Sequence, residues 1–180
     1  LGLDYVYLCF DVNEETLPAA VAGLKTCGIR GFNLTMPNKN KIVELLDELS
    51  PEAQLIGAVN TVLNDNGKLI GYNTDGYGFM QSVRDAGHDI TGKNITVMGV
   101  GGASMAICAQ SALDGAASVH IFARRTSRYW NRTQKFAENL SAKTGCQVCL
   151  FDNDDHTALR DSIAQSYLLI NATSVGMVPD

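Results

Sequence analysis

A lysine, an asparagine and an aspartate stand on turns at the ends of hydrophobic segments. Lys39 closes Asn33-Leu-Thr35-Met-Pro37-Asn-Lys39, Asn60 sits in Val59-Asn60-Thr61, and Asp75 lies in Tyr72-Asn73-Thr74-Asp75-Gly76. Side chains so placed can converge on a small polar ligand. Lys39 is the acid–base candidate among them. It starts the helix that carries Ile42, where a cation opposes the helix dipole, so it is not placed there for helix stability. Other lysines, such as Lys41 and Lys135, fall on polar helix faces, where solvated charge is the expected role. Asp75 either joins Lys39 or caps the helix that follows. Asn60 either meets a ligand or bonds the hairpin backbone.

The run Gly99-Val100-Gly101-Gly102-Ala103-Ser104 follows the apolar stretch Ile95-Thr-Val97-Met98. Glycines there permit a tight bend and close backbone approach to a pyrophosphate, whose charge then meets a helix N-terminus. The third small position holds Ser104, where the dinucleotide fingerprint has Gly or Ala. A carboxylate at the end of the next strand would accept bonds from the ribose hydroxyls of NAD. This chain instead has Ala123-Arg124-Arg125-Thr126-Ser127-Arg128. Three guanidinium groups and two hydroxyls suit a 2′-phosphate, because arginine binds phosphate oxygens as a fork. NADP is therefore favoured over NAD, with a solvated basic loop as the alternative. A polyhydroxylated substrate beside a dinucleotide would make hydride transfer the chemistry.

The elements that must position these residues fall into two rhythms. Tyr5–Phe10 reads as a buried strand, and Leu17, Ala20, Val21 and Leu24 as a helical stripe with Pro18 in its first turn. Gly31–Thr35 reads as a strand, and Ile42, Leu45, Leu46 and Leu49 as a helix closed by Ser50-Pro51. Strands Ala58–Leu63 and Leu69–Tyr72 flank the hairpin turn Asp65-Asn66-Gly67, and Phe79, Val83 and Ala86 mark a helix ending near Gly87. From Lys93 the pattern alternates. Strands Ile95–Gly99, Val119–Ala123, Gln147–Phe151 and Tyr167–Asn171 are separated by helices over 103–113, 133–140 and 158–164. Such alternation predicts a doubly wound parallel sheet. The fold class expected is α/β, with a small substrate unit at 1–87 and a dinucleotide-binding unit at 88–180. Lys39 and Asp75 are expected within hydrogen-bonding reach, in a cleft between the two.

The 180 residues leave room for one large domain or two small ones, and no apolar run is long enough to cross a bilayer. A net charge of −5 disfavours a general nucleic-acid or anionic-membrane surface. Cys9, Cys27, Cys108, Cys146 and Cys149 read as small core residues of a reducing, cytoplasmic compartment. Cys146-Gln-Val-Cys149 has the C-x-x-C spacing but no second pair, so structural filling is preferred to zinc or redox use. His88, His120 and His156 share no metal-ligand spacing with cysteines or carboxylates, and no metal is expected.

At its signatures the chain resembles the shikimate dehydrogenase family, including the quinate/shikimate branch. The resemblance is carried by Asn33–Lys39, Gly57-Ala-Val-Asn-Thr61, Gly71-Tyr-Asn-Thr-Asp-Gly76, Gly99–Ala103 and Asn171-Ala-Thr-Ser-Val-Gly-Met177, in order and spacing. It implies Lys39 and Asp75 as a catalytic pair, and Thr35, Asn60 and Asp75 as holders of the substrate hydroxyls. It places Asn171, Thr173 and Ser174 beside the cofactor. The implied activity is reversible, NADP-dependent reduction of 3-dehydroshikimate to shikimate in the biosynthesis of chorismate and the aromatic amino acids, by a monomer or homodimer. Alternatives are quinate oxidation, use of NAD, a folate-linked dehydrogenase of the same layout, or a nucleotide-binding regulatory module without catalysis. The family's first strand and helix, with a Ser-x-Ser for the substrate carboxylate, and its C-terminal helices have no counterpart here. Roughly two-thirds of a family chain is expected. Many relatives have Asn at the position of Ala123, and the quinate-using branch has an aspartate near Thr126.

Overall fold

The computed structural model describes residues 2–177; the outermost ends of both expected units, residue 1 and residues 178–180, lie outside the described residues. Helix α1 (Leu17–Thr26) is launched by Asn13, whose side-chain oxygen accepts from the N–H groups of Glu15 and Thr16. It buries Leu17 and Val21 against a mixed sheet of β1 (Gly31–Asn33), β2 (Glu48–Leu49), β3 (Thr61–Asp65) and β4 (Lys68–Tyr72). The sheet order is β1-β3-β4-β2, with β2 parallel to β4 and the other pairs antiparallel. The β3–β4 turn is the one the sequence demands. Asn66 and Gly67 both take left-handed φ, at 52° and 91°, as a two-residue turn matched to strand twist requires.

Two expectations fail in this unit. The stripe from Ile42 to Leu49 is not one helix. A short helix α2 (Asn38–Lys41) runs into a 3₁₀ turn (Ile42–Leu45), and Leu46 is extended. Glu48 and Leu49 then pair with Ile70 and Gly71. Tertiary pairing overrides the helical period there. Ser50-Pro51 opens an element instead of closing one: Ser50 caps α3 (Pro51–Ile56), its hydroxyl accepting from the Ala53 N–H at 3.2 Å. The Tyr5–Phe10 run forms no strand and stays exposed, Val6 to 82%. An apolar run becomes a strand only when a neighbour completes its ladder, and among the described residues none does. Residues 6–13 instead wall a cavity of about 480 Å³ with α1 and β1.

The second sheet is parallel, built from β5 (Asn94–Met98), β6 (Ser118–Ala123), β7 (Gln147–Asp152) and β8 (Leu168–Asn171) in the order β7-β6-β5-β8. Helices α5 (Gly102–Leu113), α6 (Trp130–Thr144) and α7 (His156–Gln165) make the crossovers. The chain winds outward from β5 to β7 and then returns to β8 on the other side of β5. That reversal creates a switch point between β5 and β8, the usual crevice for ligands in such sheets. The core here comprises Ile95, Val97, Val119, Ile121, Ala109 and Leu140, and it reaches across to Ile56, Ala58 and Met80 of the first unit. Helix α4 (Asp75–Asp85) lies against α5 so closely that a Cβ on Gly76 would meet the Ala106 carbonyl oxygen at 2.2 Å. Only glycine fits there.

The cysteines divide. Cys108 and Cys146 are buried, but Cys9 and Cys27 are exposed and Cys149 is intermediate, so only part of the set serves the core. Burial pushes the Cys108 thiol up to about 12 and that of Cys146 to about 11, which keeps both protonated and unreactive. Among the described residues no three His, Cys, Asp or Glu side chains group as metal ligands, and no helix is long and apolar enough to cross a membrane.

Candidate active site

Backbone bonds stitch the three polar signatures together. The Val59 N–H donates to the Lys39 carbonyl at 2.8 Å, Leu34 donates to Asn60 at 2.8 Å, and Asn60 donates to Tyr72 at 3.0 Å. Asn73, buried, donates its amide to the Ala58 carbonyl and accepts from the Asp75 N–H, which fixes the entry to α4. Thr74 occupies the cap position, so Asp75 is the first residue of the helix and its carboxylate is free for other partners.

Those partners are Lys39 and Asn60. The Lys39 ammonium lies 2.6 Å from one Asp75 oxygen, and the Asn60 amide donates to the other at 2.8 Å. The lysine side chain is 21% exposed and the carboxylate 39%. The pair is open enough to meet a ligand and sheltered enough to hold its geometry. The Asn60 oxygen accepts from the Thr61 hydroxyl at 3.0 Å and from the Thr74 N–H at 3.0 Å. Those two bonds set which end of the amide faces Asp75. Thr61 and Thr74 lie inside the signatures but have no role in the sequence reading, since their contacts arise only from the fold. Thr35 is exposed on the turn before Lys39, and its hydroxyl makes no protein hydrogen bond among the described residues.

The glycine loop lies at the switch point. Gly99 takes φ +110°, and a Cβ on it would meet the Ala172 carbonyl oxygen at 2.8 Å. Asn171, Thr173 and Ser174 are thereby brought beside the loop. Asn171 accepts from the Thr173 N–H at 3.1 Å and from its hydroxyl at 2.6 Å, a turn that shapes this strand end. Gly101 caps α5, and a Cβ on Gly101 or Gly102 would meet nothing within 4 Å. Val100 is half-buried against the core, and Ala103 is exposed in the first turn of α5. Ser104, at the odd position of the fingerprint, is buried and donates its hydroxyl back to the Gly99 carbonyl at 2.6 Å.

At the end of β6, Arg124, Arg125, Thr126 and Arg128 are all exposed. None of the three arginines pairs with a carboxylate among the described residues. An open glycine cradle and a cluster of guanidinium groups without counter-ions together fit a dinucleotide that carries an extra phosphate. Because Gly76 abuts Ala106 on α5, Asp75 and Lys39 are held beside the helix that this cradle begins.

Sheet topology and glycine loop define the class: an α/β protein in which a small mixed-sheet unit adjoins a Rossmann-type parallel sheet. Residues 1–62 match the model of the shikimate dehydrogenase substrate binding domain. The chain is 51% identical over 179 residues to a shikimate dehydrogenase (NADP(+)) of Listeria innocua, covering 99% of this chain and 61% of that protein. It superimposes with a TM-score of 0.96, at 49% identity, on a Listeria monocytogenes shikimate 5-dehydrogenase solved with shikimate and NAD, covering 99% of this chain and 61% of that one. A shikimate dehydrogenase solved with NADP+ gives a TM-score of 0.81 at 38% identity, covering 99% of this chain and 60% of its own. The chain thus spans about three-fifths of the length of the relatives it matches. Over the residues it spans, the chain is similar to the shikimate dehydrogenases.

Proposed function

We propose that the protein is an NADP-dependent shikimate dehydrogenase, reducing 3-dehydroshikimate reversibly to shikimate within aromatic amino-acid biosynthesis. The observation that carries this reading is the Lys39–Asp75 pair at 2.6 Å, braced by Asn60 at 2.8 Å. NADPH, when bound, supplies the hydride to the ketone carbon of the ring. The Lys39 ammonium donates a proton to the oxygen as it gains negative charge, and takes that proton back in the oxidative direction. Asp75 accepts a hydrogen bond from the neighbouring ring hydroxyl and holds the lysine by its other oxygen. Asn60 and Thr35 bind further hydroxyls. Gly99, Val100, Gly101, Gly102 and Ala103 cradle the pyrophosphate at the start of α5. Arg124, Arg125, Thr126 and Arg128 bind the 2′-phosphate, and Asn171, Thr173 and Ser174 line the cofactor's other end.

We further divide the chain into a substrate unit at 1–87 and a cofactor unit at 88–180, with α3 and α4 contributing to the core shared between them. A cytoplasmic location and a monomer or homodimer complete the proposal. A purely regulatory module has no use for a proton-transferring pair, which speaks against that alternative. The test is made on the full-length protein, following cofactor absorbance with shikimate and with quinate, each with NADP and NAD. Turnover of shikimate with NADP is expected to dominate. Turnover of quinate with NAD at an equal or greater rate would move the protein to the quinate-using branch, and no turnover of either would leave a binding protein.

A further inference from the structure

The three arginines at the end of β6 are not equivalent. The Arg125 guanidinium lies over the Trp130 ring, 4.7 Å from its centroid. Arg128 lies over Tyr129 at 4.7 Å and donates to its hydroxyl at 2.6 Å. Arg124 has no such platform among the described residues. Trp130 is the first residue of α6 and only 8% exposed, so its indole is held largely within the protein while the Arg125 side chain is exposed. The turn that brings it under Arg125 is closed by the Ser127 N–H on the Arg124 carbonyl at 2.9 Å and the Trp130 N–H on the Ser127 carbonyl at 3.0 Å. The first turn of α6 holds no acidic residue, so nothing there neutralises the cations.

An exposed arginine gives up rotamer entropy when a ligand immobilises it. A guanidinium already stacked on a fixed indole has surrendered part of that freedom before the ligand arrives. Its flat face is held by the ring while its N–H edge stays open to phosphate oxygens. We propose that Trp130 is a positioning residue for cofactor discrimination, fixing Arg125 for the 2′-phosphate without touching the cofactor itself. The inference rests on the NADP reading above and adds the residue that sets how strong the preference is.

The test compares binding of 2′,5′-ADP and 5′-AMP by calorimetry to the full-length protein and to its Trp130→Leu and Trp130→Phe variants. The two probes differ by the 2′-phosphate alone, so their affinity ratio removes general damage to the fold. Trp130→Leu should lower the ratio by roughly three- to thirtyfold, the range of a cation–π contact from partly to fully desolvated. Trp130→Phe, which restores an aromatic face, should recover most of it. Should the leucine variant not fold, Trp130 emission, taken as the difference between the unmodified protein and Trp130→Phe, serves instead. It should change on adding 2′,5′-ADP, and the change should vanish in Arg125→Gln; an unchanged emission refutes the platform. A ratio intact in a folded Trp130→Leu variant sinks the inference alone. An unmodified protein that binds the two probes alike sinks the NADP reading and the inference with it.

Discussion

Lys39 on α2 and Arg124 just past the C-terminal end of β6 are both cations, yet the protein treats them in opposite ways. Lys39 has its counter-ion built in, 2.6 Å away, and that counter-ion is held by Asn60, which is held in turn by Thr61 and Thr74. Arg124 and its neighbours have no carboxylate partner among the described residues. The first corner balances its charges within the protein, which suits a group that must stay in place and move a proton. The second leaves its charge for a ligand to neutralise, which suits reversible capture of a phosphate. Substitutions in the first should therefore damage rate, and those in the second should damage affinity.

The largest effect is expected at the first corner. Lys39→Ala should lower kcat by about 10²–10⁴-fold, since the lysine is asked to act in the transition state. Cofactor affinity, read by calorimetry, should stay within error. Asp75→Asn should hurt both kcat and KM, because on the proposed function the carboxylate would both contact substrate and orient the lysine. If Lys39→Ala raised KM alone, the lysine would be a binding group, and the contrast between the two corners would collapse.

Next comes Arg124→Ala. Loss of a charge-assisted hydrogen bond costs about 1.5–3 kcal/mol, so NADP affinity should fall roughly ten- to a hundredfold. NAD affinity and kcat at saturation should hold. Equal loss for both cofactors would make this arginine a general phosphate contact and would remove the selectivity assigned to the arginine loop after β6.

Much of the first corner is legible in sequence because its residues sit in short signatures with strong local rules. The hairpin residues Asn66 and Gly67 dictate a turn by their left-handed φ, and that turn sets the β3–β4 register next to Asn60. The alternation after Lys93 likewise predicts the parallel sheet, because each element buries its own apolar face. Long-range contacts are what sequence hides. Ser50-Pro51 closes a stripe on paper, but pairing of Glu48 and Leu49 with β4 ends the helix early and leaves Ser50 to cap the next one. Tyr5–Phe10 has the composition of a buried strand and no ladder partner among the described residues. Trp130 lies next to the arginine loop in the chain, but nothing in its type or spacing announces a stacked guanidinium.

Between the two corners lies the Gly76 contact. Gly76→Ala would push a methyl group into the Ala106 carbonyl, where neither helix has a flexible side chain to yield. Overpacking of this kind costs about 1–3 kcal/mol. The unfolding free energy from denaturant titration should fall by that amount. The kcat should also fall, because Asp75 must shift with the start of α4. Lost stability with unchanged kcat would show that the lysine–aspartate corner keeps its geometry independently of the cofactor unit.

The smallest effect is expected at Ser104, where the chain departs from the small Gly or Ala of the dinucleotide fingerprint. Its hydroxyl donates to the Gly99 carbonyl at 2.6 Å and is buried. It therefore points back into the loop and away from the space that Gly101 and Gly102 leave open. Such a bond braces the turn and contributes no group to a phosphate. Ser104→Ala keeps the volume nearly constant and deletes one neutral hydrogen bond, worth about 0.5–1.5 kcal/mol of stability. The denaturation midpoint should drop accordingly. NADP and NAD affinities should each change by less than about threefold, because the backbone N–H groups proposed to meet the pyrophosphate are untouched. A tenfold loss of affinity for both cofactors would mean that the hydroxyl turns outward when ligand binds. The glycine loop would then use a side chain where its fingerprint uses backbone alone.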